Sequence, residues 1–156
     1  VALGNDVLFE KARLLFRKQI MANIAPNGET LDFRERDALH YVVYDLQPLI
    51  QAALAARTRG EDWYHWTTNQ RASLAKGIGW LTPYVSGEKT HEEFVHSVVR
   101  FDALRARAGL KGYSGMFDPR SAGALYWLAS EFDLSLRALA EKLQAVPAPF
   151  ISLCGQ

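Results

Sequence analysis

Two arginines, a histidine and two tyrosines fall within eleven positions: Arg34, Arg36, His40, Tyr41 and Tyr44. Arg34 and Tyr41 are seven residues apart, a spacing that stacks two side chains on one helix face two turns apart. A guanidinium can hold a carboxylate bidentately. Set beside a phenol, its charge favours the tyrosinate and lowers a pKa that starts at about 10. The pair therefore reads as an acid/base device for an acidic substrate. The plain readings are a solvated Arg34 paired with Glu35 or Asp37, and a half-buried core Tyr41. His40 reads as an orienting residue. Arg36 reads as a surface charge, or as a contact for a neighbouring acidic group.

Other clusters carry less. Thr90-His91-Glu92-Glu93 fits a capping box, with Thr90 as cap and Glu93 reaching back to it. His91 and His96 are five apart, poorly placed for two metal ligands on one helix face. Lys89 and Arg100 add positive potential that suits an anionic polymer. Trp63-Tyr64-His65-Trp66 reads as aromatic packing beneath a loop, with a sugar-stacking platform as the sharper alternative. Lys111-Gly112-Tyr113-Ser114-Gly115 reads as a connector, with a lid as the alternative.

The elements that must hold these residues are helical almost throughout. Asn5 or Asp6 caps a helix to about Asn23, with Leu8, Leu15, Phe16 and Ile20 on its inner side. Pro26-Asn27-Gly28 is a turn and Glu29 to Phe33 a short extended piece. A long helix from about Glu35 to Arg57 carries Leu39, Val42, Val43, Leu46, Leu49, Ile50 and Ala53 as an apolar stripe, with Pro48 as a kink point. Residues 58–66 form a loop. Further helices are expected over Thr68–Leu81, Thr90–Ala108 (with Phe94, Val98, Phe101 and Leu104 inward), Asp118–Glu131 and Leu134–Ala145. Pro83 to Lys89 is expected as a turn-rich connection. The expectation is an all-α fold of antiparallel helix pairs.

Composition bounds the function classes. The chain has 156 residues, 49% hydrophobic and 22% charged, enough for one domain with a substantial core. A net charge of +1 lacks the basic excess of a general nucleic-acid binder. No apolar run is long enough to span a membrane. Cys154 is the single cysteine, so neither an internal disulfide nor a cysteine metal cluster can form.

The stretch Arg34…Ala38-Leu39-His40-Tyr41…Tyr44-Asp45-Leu46…Pro48-Leu49, following the Asn27-Gly28 turn, resembles the alginate-lyase-type polysaccharide lyases. Asp6-Val7-Leu8-Phe9 and Trp80-Leu81-x-Pro83-Tyr84 add to the likeness. The resemblance implies part of an incomplete α/α toroid that cleaves a uronic-acid polymer by β-elimination, with no metal or organic cofactor. In that family an Asn-His pair, an Arg and a Tyr surround the uronate, the last two seven residues apart. The resemblance carries the Arg role to Arg34 and the Tyr role to Tyr41, with Tyr44 as the fallback. It leaves His40, Arg36, Tyr44 and Lys89 as substrate contacts.

Nothing in the chain matches the Asn-His pair. Val1-Ala-Leu-Gly looks like the end of a helix that would carry it, so the chain is expected to be the C-terminal portion of a longer catalytic domain. Its partners would be an anionic polysaccharide and that upstream half, and its location periplasmic or secreted. The competing readings are a non-catalytic carbohydrate-binding or scaffold module, and a toroid glycoside hydrolase. The hydrolase would need paired carboxylates across a cleft, and Asp37 with Asp45 do not offer an obvious pair.

Overall fold

The computed structural model describes residues 5–147. Seven α-helices and two short 3-10 turns account for the regular structure among these residues. The expectations for Val1–Gly4 and Cys154 lie outside the described residues.

Helix α1 spans Asp6–Asn23, and Asn5 caps it by accepting from the Leu8 N–H at 3.0 Å. Its buried side is Phe9, Phe16 and Ile20. Leu8 and Leu15, expected on that side, are exposed. The wider inner stripe read from the sequence rotates by about one residue in the fold.

The expected extended piece after the turn at residues 26–28 shrinks to one bridge, Ile24 to Thr30. Thr30 then caps a six-residue helix, α2 (Leu31–Arg36), accepting from the Phe33 N–H at 3.3 Å. Asp37 sits in the left-handed region at φ 51° and ends α2. Helix α3 (Leu39–Arg57) starts anew and runs through Pro48. The single long helix expected from Glu35 is therefore two helices, broken at Asp37-Ala38.

Helix α3 is the centre of the fold. Leu39, Val42, Leu46, Ile50 and Ala53 are fully buried along it. It runs antiparallel to α1. Asp6 at the start of α1 pairs with Arg59 just past the end of α3, while Asn23 at the end of α1 bonds Asp45 near the α3 start. Trp63 stacks on Phe9 and Phe16, at 5.6 and 4.8 Å between ring centres, and Tyr64 on Phe132 at 4.8 Å. The packing reading of that aromatic segment holds.

Helix α4 (Leu74–Ser86) begins six residues later than expected and continues through Pro83 into the segment expected as a turn. Ser73 caps it, accepting from the Lys76 N–H at 3.2 Å. Gly77 lets α4 approach α3, since a Cβ there would meet a Leu46 methyl at 3.1 Å.

Residues 90–99 are not helical. Helix α5 covers only Arg100–Arg107. Val98, Phe101 and Leu104, expected inward, are exposed. Asp118 caps the turn Pro119–Ala122, which leads into α6 (Gly123–Ala129). Leu125, Tyr126, Trp127 and Leu128 are all buried, as in a helix surrounded by other elements. The chain closes with the turn Leu134–Leu136 and α7 (Arg137–Leu143). No strand forms among the described residues. The fold is all-α, built of packed helices as part of an α/α toroid.

Candidate functional site

The break between α2 and α3 builds the site. Asp37 is held there from several sides. Its carbonyl accepts from the Phe94 N–H at 2.7 Å and from His91 Nε2 at 2.9 Å, and its carboxylate accepts from the His96 N–H at 2.7 Å. Residues 91–98 thus fold over the break, with Phe94 itself at φ 68°.

Ala38, before the first turn of α3, has no side chain to cap it. Glu93 does this from 54 residues away. Its buried carboxylate accepts from the Leu39 N–H at 2.6 Å and from the His40 N–H at 3.1 Å. It also lies 3.2 Å from His40 Nδ1. A carboxylate at a helix N-terminus is stabilised by the exposed N–H groups and the helix dipole. Glu93 therefore does not serve the local Thr90 capping box.

Tyr41 lies on the next turn of α3, partly buried. The guanidinium over its ring belongs to Arg36, 3.7 Å from the ring centre, not to Arg34. His40 packs on the ring at 4.3 Å, and Phe94 meets it edge-on at 6.0 Å. The Tyr41 hydroxyl is 3.4 Å from that of Tyr113, a long contact between two phenols. Burial raises the pKa of the Tyr41 phenol above its ordinary value. The Tyr113 contact adds to this, and the opposing pull of Arg36 is smaller. The sequence-based expectation of a lowered value is corrected: desolvation outweighs the cation.

Arg36 is fixed by Asp102 of α5. Nε donates to Oδ2 at 3.1 Å and a terminal nitrogen to Oδ1. The Asp102 side chain is fully buried, and Ser97 Oγ also donates to it at 2.8 Å. Burial works against the Arg36 charge, but the Asp102 bonds prevail, so the guanidinium is held more firmly protonated than usual. The surface-charge reading of Arg36 does not survive this geometry.

Arg34 sits on α2, its side chain 57% exposed, with Glu29 at 3.4 Å rather than the expected Glu35 or Asp37. Arg34 and Tyr41 therefore do not share one helix face, although both flank the α2–α3 break. Tyr44 is 77% exposed on α3. Lys89 is also exposed, its amine 5.5 Å from the centre of the Tyr84 ring.

Beside Tyr41 opens a cleft of about 350 Å³. His40, Glu93, Lys111, Tyr113 and Ser114 are among its lining residues. Tyr113 stacks on Phe94 at 5.2 Å and lies under Arg105 at 4.8 Å. Sequence reasoning missed Glu93, Asp102 and Tyr113 as parts of this cluster. The only signal for them was that an Asp lay on α5 and a Glu and a Tyr in the segments flanking it.

The carboxylates Asp37 and Asp45 do not face each other across the cleft. Asp37 is bound to the 91–96 segment, while Asp45 accepts from Asn23 of α1. No group of residues suited to a metal ion occurs among the described residues. Nor is any described helix long and apolar enough to cross a membrane.

Comparison with known proteins follows the same lines. No curated protein matches the chain. The crystal structure of an alginate lyase from Bacteroides ovatus shares the fold, with a TM-score of 0.63 at 18% sequence identity. The match covers 91% of this chain but 34% of that one, so the chain spans about a third of the length of that lyase. The family model described as alginate lyase matches residues 1–91, more than half of the chain, and this segment includes Arg34, Arg36, His40, Tyr41 and Tyr44. The chain belongs to the alginate lyase family.

Proposed function

We propose that this chain is the C-terminal portion of the catalytic domain of a polysaccharide lyase, cleaving alginate or a related polyuronate by β-elimination. The observation that carries the reading is the family match across the segment holding both Arg34 and Tyr41.

In the reaction, the proton on C5 of a uronate leaves, its electron pair forms the C4–C5 double bond, and the C4–oxygen bond breaks. The C5 proton is weakly acidic while the neighbouring carboxylate is charged, so a cation must stabilise the enolate-like intermediate. Arg34, exposed and making a long ion pair with Glu29 among the described residues, is a guanidinium available for that task. Tyr41 transfers protons. A phenol whose pKa is raised by burial holds its proton and can deliver it to the leaving oxygen. Where both groups lie on one face of the sugar, Tyr41 takes the C5 proton only as the tyrosinate, the form that the Arg36 cation favours, and then passes that proton to the leaving oxygen; otherwise an upstream histidine is the base. His40, Tyr44 and Lys89 contact the polymer, and Arg36 acts beneath Tyr41 rather than on substrate. The chemistry requires no metal or organic cofactor. The substrate implies a periplasmic or secreted protein, and the upstream part of the same domain completes the site.

The test is the growth of ultraviolet absorbance from unsaturated product when the intact protein meets a panel of polyuronates. Signal on one polymer, abolished by Tyr41→Phe, supports the reading and names the substrate. Silence on all of them favours a non-catalytic carbohydrate-binding module.

A further inference from the structure

The family match ends at residue 91, yet the residue that anchors the Tyr41 cluster lies beyond it, on α5. Asp102 is the most deeply buried carboxylate of the cluster, with a side chain that has no solvent exposure. Such a group needs a partner. It has one in Arg36, through a two-point bond, and a second in Ser97. The same guanidinium lies 3.7 Å from the centre of the Tyr41 ring. A planar guanidinium bonded in its plane through two nitrogens leaves its faces free, and the phenol ring lies against one of them. The Val98 N–H also bonds the Glu35 carbonyl at 2.9 Å, which ties the start of the α5 segment to the end of α2.

We propose that Asp102 is a positioning residue for Tyr41, acting through Arg36. The buried carboxylate holds the guanidinium over the phenol ring and so sets where the hydroxyl points and how readily it gives up its proton. This rests on the reading of Tyr41 as the proton-transfer residue. The charged and titratable groups around Tyr41 are Arg36 from α2, His40 of α3 with Glu93 against it, Asp102 from α5, and Tyr113 with Arg105 over it. Among these, Arg36 is the cation in direct contact with the ring.

The experiment is a pH titration of the intact protein carrying tyrosine labelled with carbon-13 at Cζ, the Tyr41 signal being assigned by Tyr41→Phe. Arg36→Met is expected to move the Tyr41 titration up by about one pH unit, as loss of a neighbouring cation should. Asp102→Ala is expected to do the same by freeing Arg36, and to add nothing in the Arg36→Met background. A Tyr41 titration unmoved by Arg36→Met overturns the proposal. So does a downward move in Asp102→Ala, which would mean that Asp102 acts directly by its own charge. Should Asp102→Ala not fold, Asp102→Asn and Arg36→Met carry the same test.

On a polyuronate, the Asp102 variants should lower kcat with KM little changed. An intact protein inactive on every polyuronate would remove the lyase reading. The titration would still decide whether Asp102 governs Tyr41.

Discussion

The Glu93 carboxylate caps helix α3, accepting from the backbone N–H groups of Leu39 at 2.6 Å and His40 at 3.1 Å. A residue outside the family-matched segment thus secures the helix that carries Tyr41. Glu93→Ala leaves two N–H groups of α3 without their acceptor at a largely buried position. The expected cost is about 2 kcal/mol, the sum of a lost cap and poorly satisfied donors. Chemical denaturation measures it. A cost near zero would mean that water replaces the carboxylate.

Asp45 gives the stability of the fold a pH dependence. Burial raises its carboxyl from 3.8 to about 6, against the opposing bond from Asn23. Between these values the unfolded chain has released the proton and the folded chain still holds it. Stability therefore falls as pH rises through that window. Asp45→Asn, which keeps an acceptor for Asn23, should remove this slope. Above pH 6 the variant should be more stable than the parent by about 1–2 kcal/mol, allowing for solvent screening. Denaturation curves across the window check it; parallel curves would sink the assignment.

Gly28 closes the turn between α1 and α2 at φ +96°, where a Cβ would run into the Lys76 carbonyl and lie 2.8 Å from Trp80 Cβ. Both the backbone conformation and the space exclude a side chain. Gly28→Ala is expected to cost about 2–4 kcal/mol, strain and overpacking together. A fall in Tm with unchanged helicity by circular dichroism is the result to look for.

Arg34 offers the opposite pattern. Its exposed side chain makes one long ion pair, so Arg34→Ala should change stability by no more than about 0.5 kcal/mol. If it neutralises the uronate carboxylate, turnover should fall by about a hundredfold or more. Rates from unsaturated product, set beside urea denaturation, separate the two. A fall of less than about tenfold would take that role from Arg34.

What the sequence determined by itself is what neighbouring residues decide. Asn5 caps α1 and Asp118 caps the turn before α6 because a short polar side chain reaches an N–H two or three positions ahead. The apolar stripe of α3 follows from its period, and the density of chemistry around Arg34 to Tyr44 is plain from residue types alone. Only the tertiary structure decided how those residues face one another. Asp37 breaks the long helical pattern because its carbonyl and carboxylate are claimed by His91, Phe94 and His96. Glu93 leaves its local capping box because bare N–H groups of α3 need its charge more. The Tyr41 pKa rises rather than falls because burial outweighs a cation supplied by α2 and held by α5. Each of these is a contact between segments more than 50 residues apart, or a desolvation that depends on everything packed around it, and neither leaves a periodic trace in the chain.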